Sequence, residues 1–118
     1  MSLPPLVHLQ LYRGDDAEPI VLRVRKAALP VWDLTVAAFA MTAQPEQGRG
    51  EPLQLDGGQI KAVRDDAGDV LITLDIPAAM TRDIAWQSGH YDLQATGTDG
   101  RVKTLCRGRL LIVEDVTR

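Results

Sequence analysis

Val70-Leu71-Ile72-Thr73-Leu74-Asp75-Ile76 is the stretch that decides the fold. Val70, Ile72, Leu74 and Ile76 recur at every second position. A period of two puts all four side chains on one face of an extended strand, whereas a helix would scatter them around its axis. Immediately upstream, Asp65-Asp66-Ala67-Gly68-Asp69 is a run of turn formers, and Gln59 to Arg64 precedes it. The segment therefore predicts a hairpin. Pro77 suits the first position of a helical turn. Met80 and Ile84 form one apolar i,i+4 pair, so a short helical turn is expected near 77–86, ending by Ser88-Gly89.

The same alternation recurs on both sides. Val7, Leu9 and Leu11 alternate with His8, Gln10 and Tyr12 before the turn Arg13-Gly14-Asp15-Asp16. Ile20, Leu22 and Val24 alternate with Val21, Arg23 and Arg25, which predicts a second strand with a basic outer face. Pro30 and Trp32-Asp33-Leu34 interrupt the pattern, and Thr35 to Met41 reads as a third strand. Gln44 to Gly50 is the most loop-like stretch, followed by a weak strand over Pro52–Leu55 and the turn Asp56-Gly57-Gly58. Tyr91, Leu93 and Ala95 alternate with His90, Asp92 and Gln94. Asp99-Gly100 is a two-residue hairpin signal, and the last strand runs from Arg101 to about Val113, with a bulge expected at Gly108. Seven or eight strands without a βαβ rhythm predict an all-β, immunoglobulin-like antiparallel β-sandwich occupying 1–118 as a single domain. Trp86 followed by Gly89-His90-Tyr91 adds to this, because such sandwiches often pin a corner with a tyrosine near the start of the penultimate strand.

Composition narrows the functional classes. The chain has 118 residues, of which 45% are hydrophobic and only 4% aromatic, so the core must be aliphatic. A net charge of −3 and scarce aromatics argue against nucleic-acid binding, which draws on a basic surplus and stacking rings. Cys106 is the lone cysteine and can form no internal disulfide, which favours folding in a reducing cytosol. Met1-Ser2-Leu3-Pro4-Pro5 lacks the basic run and apolar core of a signal peptide. No apolar stretch approaches the roughly 20 residues that cross a bilayer, so no membrane association is expected.

Several residue groups invite chemistry. Ser88, His90 and Asp92 are the residue types of a hydrolytic triad, but on a strand they project side by side from one face. A triad needs the base between nucleophile and acid, and no glycine-rich nucleophile elbow surrounds Ser88. The acidic clusters Asp15-Asp16-x-Glu18 and Asp65-Asp66-x-x-Asp69 could attract Ca²⁺, yet neither has the spacing of a twelve-residue calcium loop. His8, His90 and Cys106 fall short of a zinc ligand set. Arg13-Gly14-Asp15 matches an adhesion tripeptide and reads more simply as a turn. Cys106 is expected to be a buried, inert thiol sharing a face with Val102 and Leu110. No catalysis, cofactor or metal is expected. Arg23, Arg25, Lys103, Arg107 and Arg109 could gather on neighbouring outer faces. Within the last strand, Lys103, Leu105, Arg107 and Arg109 mix charge with an apolar side chain, which suits docking to another protein.

Across almost its whole length the chain resembles small phage and prophage proteins with an immunoglobulin-like fold, in particular the N-terminal domain of upper baseplate and tail-fibre-associated proteins. The matching elements are Leu11-Tyr12-Arg13-Gly14-Asp15, Asp33-Leu34-Thr35, Gly68-Asp69-Val70-Leu71-Ile72-Thr73-Leu74 and Gly89-His90-Tyr91-Asp92-Leu93. The stretch Gly100-Arg101-Val102-Lys103-Thr104-Leu105-Cys106-Arg107-Gly108-Arg109-Leu110 fits best. Val36 stands where such proteins often carry glycine. The resemblance implies a structural or assembly module of a phage tail, baseplate or neck, made in the bacterial host cytoplasm and incorporated into the virion. Its partners would be other phage structural proteins or a second copy in a homo-oligomer. The alternative is a free-standing ligand-binding sandwich, for example for carbohydrate; an exposed Trp32 or Trp86 beside polar groups would favour it.

Overall fold

The computed structural model describes residues 5–14, 19–25, 33–46, 50–82 and 84–113. Among these residues eight strands follow one another: β1 (Leu9–Tyr12), β2 (Ile20–Val24), β3 (Ala38–Pro45), β4 (Leu53–Leu55), β5 (Ile60–Arg64), β6 (Val70–Leu74), β7 (Ser88–Thr96) and β8 (Val102–Val113). A 3-10 turn at Leu34–Val36 precedes β3, and one short helix, α1 (Ala78–Arg82), joins β6 to β7. The strands form a five-stranded sheet in the order β1-β8-β7-β3-β4 and a three-stranded sheet in the order β2-β6-β5. The fold is an immunoglobulin-like β-sandwich. All pairings are antiparallel except β1–β8, which is parallel in the register Leu9↔Leu110 to Tyr12↔Val113. The expected antiparallel sandwich thus carries one parallel pairing, at this seam.

The period of two correctly marks the inward faces. Val70, Ile72 and Leu74 are buried on β6, Met41 and Ala43 on β3, Tyr91, Leu93 and Ala95 on β7. These residues and Leu11, Leu110 and Ile112 belong to one hydrophobic, mostly aliphatic cluster between the sheets. Ile76 and Leu34 extend it beyond the strands.

Boundaries shift where side chains compete with the ladder. Leu34 to Val36 turns instead of extending, because Asp33 Oδ1 accepts from both the Thr35 N–H (3.1 Å) and the Thr35 hydroxyl (2.5 Å). The third strand consequently starts at Ala38, and it runs to Pro45, past the expected end at Met41. Asp99-Gly100 lies in a three-residue loop, because Gly97 donates to the Arg101 carbonyl at 2.8 Å. The β5–β6 loop has the same form, with Asp65 donating to the Asp69 carbonyl at 2.9 Å. Gly68 (φ 88°) and Gly100 (φ 86°) supply the left-handed residue that closes these loops.

Trp86 and Tyr91 are both buried, at 8% and 3% exposure. Trp86 holds the corner before β7: its Nε1 donates to the Glu51 carbonyl at 2.8 Å, and its ring lies against Gly50 and Gly89. Tyr91 does not pin that corner. Its hydroxyl donates to the Val7 carbonyl at 2.6 Å and fastens the approach to β1. The corner is tied instead by Arg13, whose Nη2 donates to the Trp86 carbonyl (3.0 Å), and by the Gly14 N–H on Thr81 Oγ1 (3.0 Å). The Arg13-Gly14 pair is therefore part of the framework; Asp15 lies outside the described residues.

Candidate functional site

The outer face of the five-stranded sheet gathers most of the chemistry expected of the last two strands. Register fixes its rows. Gln10 stands beside Leu111, and Leu111 beside Ser88; Arg109 pairs with His90 and Gln44 follows; Arg107 pairs with Asp92, then Thr42 and Gln54. Tyr12, Leu111 and Val102 are exposed on this side. The face thus carries two arginines on β8, polar and acidic groups on β7 and β3, and apolar side chains towards its margins.

A bulge in β8 decides which residues reach this face. Leu93 pairs with Cys106 but Gln94 with Thr104, so Leu105 is the extra residue. Leu105 and Cys106 are consequently both buried. This corrects the expected docking set. Leu105, 9% exposed, belongs to the core. Lys103 pairs with the buried Ala95 and so lies at the rim of the inner side. Only Arg107 and Arg109 of the four occupy the outer face. Cys106 shares its side with Leu110, as expected, but not with Val102, which the bulge turns outward. The bulge expected at Gly108 falls three residues earlier. Gly108 meets another need: the Val7 carbonyl lies so close that a Cβ would collide with it.

Arg23 and Arg25 do not join this group either, because β2 belongs to the other sheet. Arg23 Nη1 binds Asp65 Oδ2 (2.6 Å) and Asp69 Oδ2 (3.1 Å), and Arg25 Nη1 lies 3.6 Å from Asp69 Oδ2. Asp65 Oδ1 accepts from the Ala67 and Asp69 N–H groups, both at 3.0 Å. The acidic loop is thus an arginine-bound, internally hydrogen-bonded turn.

Ser88, His90 and Asp92 share the outer face as predicted, but a fourth residue, Glu46, gathers Ser88 and His90. Ser88 Oγ donates to Glu46 Oε2 at 2.7 Å, His90 Nε2 lies 3.4 Å from Glu46 Oε1, and Arg109 Nη2 lies 3.4 Å from the same oxygen. The carboxylate stands between hydroxyl and imidazole, whereas a triad places the imidazole in the middle. The Ser88 hydroxyl and the Arg109 charge hold the Glu46 carboxyl below its ordinary range. Glu46 escaped the sequence reading because it lies in the loop-like 44–50 stretch, 42 residues from Ser88.

Behind the face, Tyr91 Oη and Cys106 Sγ lie 3.7 Å apart. Burial raises the pKa of both the phenol and the thiol, which keeps each protonated and unreactive at neutral pH. Among the described residues, no three His, Cys, Asp or Glu side chains gather as a metal site, and no helix is long and apolar enough to cross a membrane. Trp86 offers no exposed ring, and Trp32 lies outside the described residues.

No protein-family model and no curated protein matches the chain. Among solved structures it is similar to CopC from Methylosinus trichosporium OB3b, with 12% identity, a TM-score of 0.42, and coverage of 93% of this chain and 89% of that one.

Proposed function

We propose that the domain is a non-enzymatic docking module, serving in the assembly of a phage tail, baseplate or neck through the outer face of its five-stranded sheet. The observation that carries the docking reading is the composition of that face: Arg107, Arg109, Leu111 and Tyr12 lie together on it, and no described element packs over them. Mixed apolar and charged strand faces suit protein partners, where charge selects the partner and apolar area supplies affinity. The phage assignment draws on the sequence resemblance, whose best-fitting stretch, Gly100 to Leu110, contains most of β8 and both arginines. The domain would act by holding neighbouring virion proteins in register.

The test is co-expression with the products of adjacent genes, followed by co-purification of the wild type and of an Arg107→Glu/Arg109→Glu variant. Capture of a tail or baseplate protein by the wild type, weakened in the variant, is the expected result. No capture by a folded wild type overturns the docking reading. The carbohydrate alternative is the poorer fit, since the indole of Trp86 is buried and its N–H bound to Glu51.

A further inference from the structure

Parallel strands exchange hydrogen bonds through alternate residues. At the seam between the N-terminal segment and β8, Leu6 bridges Arg107: the Val7 N–H donates to the Arg107 carbonyl (2.8 Å) and the Arg107 N–H to the Pro5 carbonyl (3.1 Å). The same offset links Leu9 to Leu110, and the Arg13 N–H donates to the Val113 carbonyl at 2.8 Å. Arg109, two residues beyond Arg107, therefore also points its N–H across this seam. A regular ladder would offer it the Val7 carbonyl. That carbonyl accepts from the Tyr91 hydroxyl instead, and it lies tight against Gly108. The Arg109 N–H donates to His8 Nδ1 at 3.1 Å. A side-chain nitrogen has taken the place of a backbone oxygen. An imidazole nitrogen accepts only through a lone pair, so the bond requires the proton on Nε2 and none on Nδ1.

We propose that His8 is a proton-gated clip: the neutral ring closes the seam between the segment leading into β1 and β8, and protonation opens it. Histidine is the side chain whose charge ordinarily changes between about pH 5 and 8. Protonation turns the acceptor into a second donor facing the Arg109 N–H, and it adds a cation beside Arg107 and Arg109 of β8. Among the described residues, the other titratable groups of this face are Tyr12 on β1, His90 and Asp92 on β7, and Glu46 after β3. The Glu46 carboxylate is already occupied by Ser88, His90 and Arg109. Opening frees the Arg109 N–H, while Arg107 keeps its backbone bonds to Pro5 and Val7. Acid would thus loosen the edge of β8 at Arg109, between the backbone bonds at Val7 and the ladder that resumes at Leu9, whatever the outer face docks.

The test uses the full chain labelled with ¹⁵N. Long-range ¹H–¹⁵N spectra at about pH 8 are expected to show His8 as the Nε2–H tautomer. Protection of the Arg109 amide against exchange, corrected for the intrinsic rate, should fall about fivefold or more between pH 8 and pH 5, the effect of losing one hydrogen bond. The Leu93 amide, in the middle of the sheet, reports that the fold persists. His8→Asn places a non-titrating acceptor oxygen near the position of Nδ1 and should keep Arg109 protected at both pH values. His8→Phe keeps a ring without an acceptor and should leave Arg109 poorly protected at both. An Nδ1–H tautomer at neutral pH, or an equal acid-dependent loss in His8→Asn and wild type, overturns the proposal.

Discussion

Trp86 shows how much one side chain can decide. Its ring is bounded by Gly50 and Gly89, where an added Cβ would press on it, and its N–H is spent on Glu51. Trp86→Ala should cost about 3–5 kcal/mol in denaturant unfolding, as large aromatic truncations do; less than about 1 kcal/mol would mean the ring contributes little to the core. At Gly89 an added Cβ would also collide with the Gln44 carbonyl, so Gly89→Ala should lower the unfolding midpoint markedly. The burial of Trp86 and Tyr91 was legible in the sequence, since large rings next to an alternating strand have few other places to go. The partner of Tyr91 was not, because Val7 lies 84 residues away and offers only a backbone oxygen, which no residue type announces. On the outer face, Glu46 responds to acid at lower pH than a free carboxylate. Its pKa is depressed first by Ser88 and then by Arg109. A depressed carboxylate contributes stability above its ordinary value of about 4.3, and that contribution disappears as pH falls through the lower folded value. Ser88→Ala should therefore raise the Glu46 pKa in an NMR titration. No movement would show that Arg109 and His90 set it without the hydroxyl.

Among the elements, β8 was read correctly in extent and, from Cys106 onward, in phase; only the stretch up to Leu105 was read with its faces exchanged. Alternation predicts facing only while the pairing register holds, and one extra residue exchanges the two faces. Arg107 and Arg109 retain their outward position because both lie beyond the bulge, whereas Leu105, at it, turns into the core. Leu105→Ala should thus cost about 2–5 kcal/mol. Arg107→Glu and Arg109→Glu should leave the unfolding midpoint nearly unchanged while altering docking. If Leu105→Ala proves neutral and the arginine variants unfold, the phase of β8 is the reverse of the one described. The β5–β6 hairpin carries its own expectation. Its acidic loop could be found from sequence, but its counter-ions Arg23 and Arg25 come from a strand some 40 residues earlier, and only the fold brings them together. Calcium would have to displace Arg23 from Asp65 and both arginines from Asp69. Neither Ca²⁺ nor a chelator should shift the melting temperature; a rise of several degrees with Ca²⁺ would mean that the ion outcompetes them.

At the scale of the whole molecule, periodicity identified which residues point inward but not which sheet receives each strand. The hairpin of β5 and β6 and the distant β2 form the smaller sheet, while β1 leaves β2 and joins β8 in parallel. Such assignments depend on contacts far apart in the chain, and local pattern carries no term for them. The two sheets nevertheless share one core. Ile72 and Leu74 from the smaller sheet lie in the same cluster as Met41, Leu93 and Leu110 from the larger. Neither sheet can lose the other without exposing that aliphatic surface to water, at roughly 25 cal/mol for each Å². The chain should consequently unfold in one cooperative step, as expected for a single domain. Denaturant curves followed by tryptophan fluorescence and by far-UV circular dichroism should coincide. Ile72→Val, placed in the smaller sheet, should shift both curves together by about 0.5–1.5 kcal/mol. In a Trp32→Phe background, where Trp86 at the corner beside the larger sheet is the remaining tryptophan, a shift confined to circular dichroism would show that the smaller sheet melts by itself, and the single-domain expectation would fail.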